Sequence, residues 1–362
     1  MDQRRSLAYQ VLVQGVSLSQ AAREFGVSRP TARLWRDRAI EMGIGELAES
    51  SRRPRESPTA TDASLIEALL EARRQYPFWG AKKLLEVLWP GERKPLSLRT
   101  ANRAIARAGL VGSHPGEMDE PVRFEREHAN ELWQMDFKGM KHPRLPYEAF
   151  SVIDDATRFS LAFCPVADQS VNTVWSVLWE LFGDYGLPEC MLSDNGPAFR
   201  AGAGRLPSTL HVRLMRLGIR STHGRPYHPQ TQGKVERFNG TVQRELGRRL
   251  RQPSALEATS VYETFRARYN WQRPHEALDM RVPGSLYARS ARPRPDLLPE
   301  HEIPSGAISR KVDDFGNIGF KSGRYKVGRG LAKERVVIAD GHLGYVVTYF
   351  GIDLGLLEDF RV

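Results

Sequence analysis

The sequence predicts a multidomain chain, with all-α helix-turn-helix units at the N-terminus, an α/β core built on a mixed sheet, and a small all-β barrel at the C-terminus. Three observations predict it. Apolar residues recur at helical spacing through the first 110 positions, punctuated by capping serines and a glycine turn. Between residues 130 and 250 the apolar runs read strand, strand, strand, helix, strand, helix. The last sixty residues alternate with glycine turns between the runs. A chain of 362 residues is long enough for two to four domains. The divisions expected are 1–50, 59–112, 122–290 and 303–362.

In chain order, Ser17-Leu-Ser-Gln20 is a capping box, Ala21, Ala22 and Phe25 make an apolar face, and Gly26 supplies a turn. Ser28 caps a second helix with Pro30 in its first turn and Leu34 and Trp35 facing inward. This is a helix-turn-helix over 17–38. Its exposed Arg29, Thr31, Arg33 and Arg36 suit phosphate and base-edge contacts in a DNA major groove. A helical hairpin used only for packing would share the periodicity, but not the coincidence of a short glycine turn with a basic second helix. After a polar linker at 50–58, helices are expected around Leu65 to Leu70, from Ala81 to Trp89, and from Leu98 to Ala108 behind the Ser97 cap. Arg99, Arg103 and Arg107 along the last of these suggest a second, winged-helix-like DNA reader; a dimerisation module would show the same amphipathic pattern.

A linker at 111–124 leads to strands at Trp133–Phe137, Ala149–Ile153 and Phe159–Phe163, with Asp155 expected to cap the turn between the last two. A helix carries Val171, Val174, Trp175, Leu178, Leu181 and Phe182, and the strand Cys190–Leu192 ends at Asp194-Asn-Gly. The breaks in 222–233 mark a loop, followed by a helix with Val235, Phe238, Val242 and Leu246 spaced 3, 4 and 4. A helix over Ala255–Asn270, an exit turn to His275, a linker over Arg292–Pro299 and the strands near Tyr325, Arg335 and Tyr345 complete the chain.

The net charge of +10 and a pI near 9.7 point to a polyanionic partner, nucleic acid ahead of membrane, since no basic amphipathic anchor is apparent. The charge is unevenly spread: net +3 over 1–60, +4 over 61–112, −4 over 113–222 and +5 over 223–252. Basic flanks around an acidic centre suit a metal site between phosphate-binding surfaces. Two cysteines, Cys164 and Cys190, sit in apolar runs and read as buried thiols in a reducing compartment. No apolar leader and no run of 18 apolar residues is present, so a cytoplasmic protein, nucleoid-associated when bound to DNA, is expected.

Three carboxylates carry the chemistry. Asp136 lies in the first strand, Asp194 ends the fourth, and Glu236 opens the helix after the loop. Brought within about 4–5 Å, they would repel by about 4 kcal/mol per pair at an effective dielectric near 20. A pair of Mg²⁺ (or Mn²⁺) ions relieves that repulsion and can clamp the attacking and leaving oxygens of a phosphoryl displacement. Lys234, Arg237, Asn239 and Arg244 around Glu236 suit phosphate binding.

Trp133-Gln-Met-Asp136-Phe, Leu192-Ser-Asp194-Asn-Gly-Pro-Ala-Phe199 and His228-Pro-Gln-Thr-Gln-Gly-Lys-Val-Glu236-Arg-Phe-Asn239 resemble the three signature segments of the DDE transposase/retroviral-integrase superfamily, most closely insertion-sequence transposases of the IS481/IS3 kind. The likeness extends to the paired N-terminal units and to Asn270…Arg273-Pro-His. It implies a ribonuclease-H-like integrase catalytic core, a two-Mg²⁺ site on Asp136, Asp194 and Glu236, cutting at element ends and strand transfer into target DNA. It also implies double-stranded DNA partners (terminal repeats and target), a homo-oligomer on DNA, and DNA contacts from Asn195 and His228. Two departures stand out. Asp194 and Glu236 are 42 positions apart, longer than the compact pattern, with the excess expected in Ala201–Pro207. Gln243 occupies the usual basic position two turns after the glutamate, and Arg244 points about 100° further round. A domesticated helix-turn-helix regulator without catalysis is the alternative, disfavoured by the intact acids; a nuclease acting on RNA–DNA hybrids would leave the N-terminal readers unexplained.

Overall fold

The computed structural model describes residues 3–47, 61–111, 126–138, 146–193, 199, 206–223 and 233–362. The linkers expected at 50–58 and 111–124 and the loop at 222–233 fall almost wholly outside them. The chain divides into two compact units, Met1–Thr61 and Asp62–Val362.

In the first unit, α1 (Gln3–Leu12), α2 (Leu18–Glu24) and α3 (Arg29–Met42) close over Leu7, Ala21, Ala22 and Ala32. Ser17 and Ser28 cap α2 and α3 through the Gln20 and Thr31 N–H groups, and Gly26 makes the turn at φ +64°. Trp35 packs against this core, but Leu34 is 48% exposed. Two residues on from buried Ala32 is 200° round the helix, so Leu34 lies on the outer face.

The second unit begins with α4 (Ala63–Gln75), α5 (Ala81–Leu88) and α6 (Leu98–Arg107), packed around Leu69, Trp79, Leu84, Leu85, Ala101 and Ile105. Then come β1 (Trp133–Lys138), β2 (Glu148–Asp154), β3 (Ser160–Val166), α7 (Val171–Tyr185), β4 (Cys190–Ser193), α8 (Thr209–Arg216), β5 (Arg220–His223), α9 (Gly233–Leu246) and α10 (Ala255–Trp271). The five strands make one mixed sheet of order β3-β2-β1-β4-β5, antiparallel across the first three and parallel across the last three. Alternation along β1 sends Trp133 and Met135 to one face, where α7 and α8 cover them with Leu178, Phe182, Leu210 and Leu214. Gln134 and Asp136 therefore face the other side, where α9 and α10 pack Val235, Phe238, Val242, Tyr262 and Phe265 against Ala149, Ile153 and Phe163. A central strand covered on both faces explains why this sheet carries so many buried aromatics.

The stretch 287–299 straps back across the core instead of running free. Ser290 N–H donates to the Tyr185 carbonyl (2.8 Å), Leu187 N–H to that of Arg292 (2.7 Å), and the Arg292 guanidinium to those of Pro188 and Leu217. Gly186 (φ +78°) lies beneath the strap, where a Cβ would sit 2.8 Å from the Ser290 and Arg292 carbonyl oxygens.

Beyond the strap, β6 (Ile308–Lys311), β9 (Arg335–Gly341), β10 (Gly344–Tyr349) and β11 (Ile352–Leu356) form an antiparallel sheet of order β11-β10-β9-β6. A separate hairpin pairs β7 (Asn317–Phe320) with β8 (Gly323–Lys326). The closed barrel expected from the alternation is not formed by the ladders of the described residues. β6 and β11 remain opposite edges, an isolated bridge joins Tyr325 of the hairpin to Arg361, and the hairpin's Ile318, Phe320 and Tyr325 share one core with the sheet, which Val212 of α8 helps to complete. Among the described residues no helix is long and apolar enough to cross a membrane.

Candidate active site

Asp136 occupies the inward-turned side of β1, half-buried, directly across from Ser151 of β2. Its Oδ2 accepts a hydrogen bond from Asn239 Nδ2 at 2.8 Å, and Asn239 Oδ1 accepts one from the buried Ser151 hydroxyl at 3.1 Å. Asn239 is thus a buried bracket between α9 and the two central strands. Glu236 lies one turn earlier on α9 and is exposed. Residues three apart lie on adjacent turns of a helix, so the bond that fixes Asn239 also fixes the height of Glu236 along α9.

A second tie holds the start of α9. Gln134, buried two residues before Asp136, accepts the Val235 N–H on Oε1 (3.1 Å) and donates from Nε2 to Asp155 Oδ1 (2.6 Å). Asp155 Oδ2 accepts from Lys234 Nζ (2.5 Å) and from Arg126 N–H (2.9 Å). The turn after β2 is capped by Asp154, not by Asp155. Asp154 accepts the Thr157 N–H and hydroxyl (2.8 and 2.7 Å) and the Asn130 N–H (2.7 Å). Burial pushes the Asp154 carboxyl up despite these donors. Burial likewise lowers the Lys138 ammonium, against the pull of nearby Asp136.

The far end of α9 carries a buried carboxylate. Glu245 (side chain 4% exposed) accepts from Trp79 Nε1 at 3.2 Å and pairs with Arg268 at 2.9 Å and with Arg273. Trp79 belongs to the helical unit of α4–α6, so this cluster docks that unit onto α9. Lys83 beside it is brought down to about 8, first by burial and then by Arg273, against the pull of Glu276 and Glu245. His275, edge-on to Tyr269, is driven to about 3 by burial, with Arg273, Lys83 and Arg158 adding to the effect. Asn270 returns to the sheet edge, accepting the Ser160 N–H and donating to its carbonyl. Both cysteines are free, Cys190 buried and Cys164 half-buried.

The remaining expected contacts are scattered. Arg29 and Arg33 are exposed on α3, Thr31 is half-buried, and Arg36 is half-buried against Asp37 (2.8 Å from Nε). Arg99 and Arg103 stand exposed one turn apart on α6, and Arg237 and Arg244 are exposed on α9. Asn239 and Lys234, expected to meet DNA, are turned inward onto Asp136 and Asp155. Asp194, Asn195 and His228 lie outside the described residues, as do residues 201–205. Among the described residues no three His, Cys, Asp or Glu side chains converge on a metal-sized site. Gln134, Ser151 and Glu245 carry no signal in sequence; each matters through a partner more than twenty positions away.

The core is thus a mixed sheet with an acid on its central strand, braced by a helix that carries a glutamate in its first turn. The integrase core domain family matches residues 126–229 and, in a second part, 217–283, and a helix-turn-helix domain family matches 3–55. The chain thus carries an integrase core domain and an N-terminal helix-turn-helix domain, which support the DDE transposase/retroviral-integrase superfamily. It is 27% identical to the Gag-Pol polyprotein of feline leukemia virus over 154 residues, 42% of this chain and 9% of that one. It is 31% identical to that of koala retrovirus over 129 residues (35% and 7%), and 24% identical to the Pol polyprotein of radiation murine leukemia virus over 196 (52% and 32%). The chain therefore spans under a third of the length of these polyproteins. Among solved structures, the catalytic core domain of BIV integrase aligns at 22% identity over 44% of this chain and 93% of that one (TM-score 0.34). The HTLV-2 integrase catalytic core domain in complex with magnesium aligns at 16% over 46% and 100% (TM-score 0.35). These superpositions are loose.

Proposed function

We propose that the chain is an insertion-sequence transposase, a metal-dependent polynucleotidyl transferase that cuts DNA at the ends of its element and joins them to target DNA. The observation that carries this reading is the Asn239–Asp136 hydrogen bond, which sets the glutamate-bearing helix beside the acid of the central strand. The strand register supports the third member. β1 and β4 pair residues 58 positions apart, Trp133 with Met191 and Gln134 with Leu192, and Asp136 and Asp194 are separated by the same 58 positions.

The donor set fits a hard divalent cation: carboxylate oxygens, one half-buried on a rigid strand and one exposed to incoming substrate. Asp136, Asp194 and Glu236 would hold two Mg²⁺ or Mn²⁺ ions. What such a pair supplies is activation of water or a 3′-hydroxyl and neutralisation of charge at the departing 3′-oxygen. The chain's own residues do the rest. Asn239 is buried and orients Asp136, while Arg237 and Arg244 offer exposed guanidinium groups to the backbone phosphates. Asn195 and His228 join them. Arg29, Thr31, Arg33 and Arg36, with Arg99 and Arg103, hold the terminal repeats. Cutting and joining two ends calls for more than one copy, so a homo-oligomer assembles on the DNA.

The test is Asp136→Asn with duplex bearing the sequence that flanks the gene. Mg²⁺-dependent cleavage is lost while the affinity for the duplex is unchanged; continued cutting by this variant overturns the assignment.

A further inference from the structure

We infer that Lys234 and Asp155 form a positioning pair that sets the first turn of α9 against β1, and that Lys234 is not a phosphate contact. The inference rests on reading Asp136 and Glu236 as the metal-holding acids.

Asp155 has a fully buried side chain, and that of Lys234 is 14% exposed, with 2.5 Å between Nζ and Oδ2. A carboxylate removed from water persists there only if charge and hydrogen bonds replace its hydration, and Asp155 has three donors on its two oxygens. One of them does more than satisfy it. By accepting from Gln134 Nε2, Asp155 fixes which way that amide points, so that Oε1 is presented to the Val235 N–H. That N–H belongs to the first turn of α9, whose donors have no partners within the helix. A carboxylate near this end also complements the positive end of the helix dipole.

The relay therefore runs from the turn after β2, through β1, to the residue that precedes Glu236. Two residues further along β1, Asp136 receives Asn239, four residues further along α9. Two strand residues span about 6.6 Å and four helical residues about 6 Å, so the two ties are in step and hold α9 alongside β1. Lys234 and Glu236 are 200° apart around α9. The ammonium turned onto Asp155 thus leaves the glutamate on a different side of the helix, nearer that of Asn239, where it is exposed.

The experiment uses the full chain as wild type, Lys234→Met, which keeps the aliphatic stem and its packing, and Lys234→Arg, which keeps the charge. Hydrogen exchange is followed in peptides from the start of α9, and binding to a duplex is measured over a range of salt. In Lys234→Met the first-turn amides exchange at least about tenfold faster while β9 and β10 are unchanged. The slope of log affinity against log salt stays at its wild-type value, and Lys234→Arg restores protection. With flanking DNA and Mg²⁺, kcat in Lys234→Met falls about 10²-fold at unchanged affinity, the scale of an ångström-level misplacement. Unaltered exchange in α9, joined to a slope shallower by about 0.9, identifies a lost phosphate contact and overturns the inference. A wild type that fails to cut flanking DNA refutes the transposase reading, while the exchange data still decide the pair.

Discussion

Asn239→Asp puts a second carboxylate where an amide nitrogen now lies 2.8 Å from Asp136 Oδ2. At that separation two unit charges repel by about 1.5 kcal/mol at the dielectric of water and about 6 kcal/mol at an effective value of 20. Asn239 is 7% exposed, which favours the upper half of that range. A hydrogen bond is also lost, worth about 1 kcal/mol. The repulsion raises the folded-state pKa of the new pair above the unfolded carboxylate value. The sign follows: stability is retained where the pair can hold a proton, at acid pH, and is lost as pH rises through the raised value. Urea denaturation of wild type and variant from pH 4 to 8 measures this. The stability gap should widen with pH to several kcal/mol, and Asn239→Ala, which removes the bracket without adding charge, should show a smaller gap with no pH trend. A pH-independent gap in Asn239→Asp would refute the proximity of the two side chains and, with it, the bracket.

Glu245→Ala leaves Arg268 and the buried Arg273 without their carboxylate and removes the acceptor for Trp79, so a loss of about 3–5 kcal/mol is expected by denaturant titration. Looser packing of α4–α6 against α9 should accompany it, read as faster hydrogen exchange in α4–α6. His275, lowered to about 3, is held neutral by burial, so the stability it contributes is present above its unfolded value near 6.5 and is lost as pH falls. His275→Phe keeps a ring on Tyr269 and removes the titration. The acid-side slope, at most about 1.4 kcal/mol per pH unit from this group, should flatten between pH 6.5 and 4; an unchanged slope counts against a buried neutral imidazole.

The parts of the fold legible in sequence are those whose periodicity is strong and local. Val235, Phe238, Val242 and Leu246 announce the buried side of α9, and Trp133 to Phe137 announces β1. The serine caps at Ser17, Ser28 and Ser97 fall where the helices begin. α8 and β5 are not legible: Thr209–Arg216 is only two turns long, and Arg220-Ser-Thr-His223 is a polar edge strand that gains its place by pairing with β4. The barrel fails for a related reason, since alternation predicts strands but not whether the last edge meets the first.

At the candidate site, the residue types were legible and their partners were not. Asp154 and Asp155 are indistinguishable as turn formers, yet alternation turns them opposite ways, one onto its own turn and the other onto a lysine 79 positions later. Asn239 and Lys234 look like phosphate ligands because their neighbours are basic. The sheet takes both side chains inward, which no local pattern records.

The most direct measurement is a strand-transfer assay with DNA carrying the sequence that flanks the gene, comparing wild type with Glu236→Gln. Glu236 is exposed, so its replacement leaves the fold and duplex binding intact, with stability within about 0.5 kcal/mol of wild type. Joined product from wild type in Mg²⁺, and none from the variant, is the expected result. Equal product from both proteins would contradict a metal-dependent transferase built on Asp136 and Glu236.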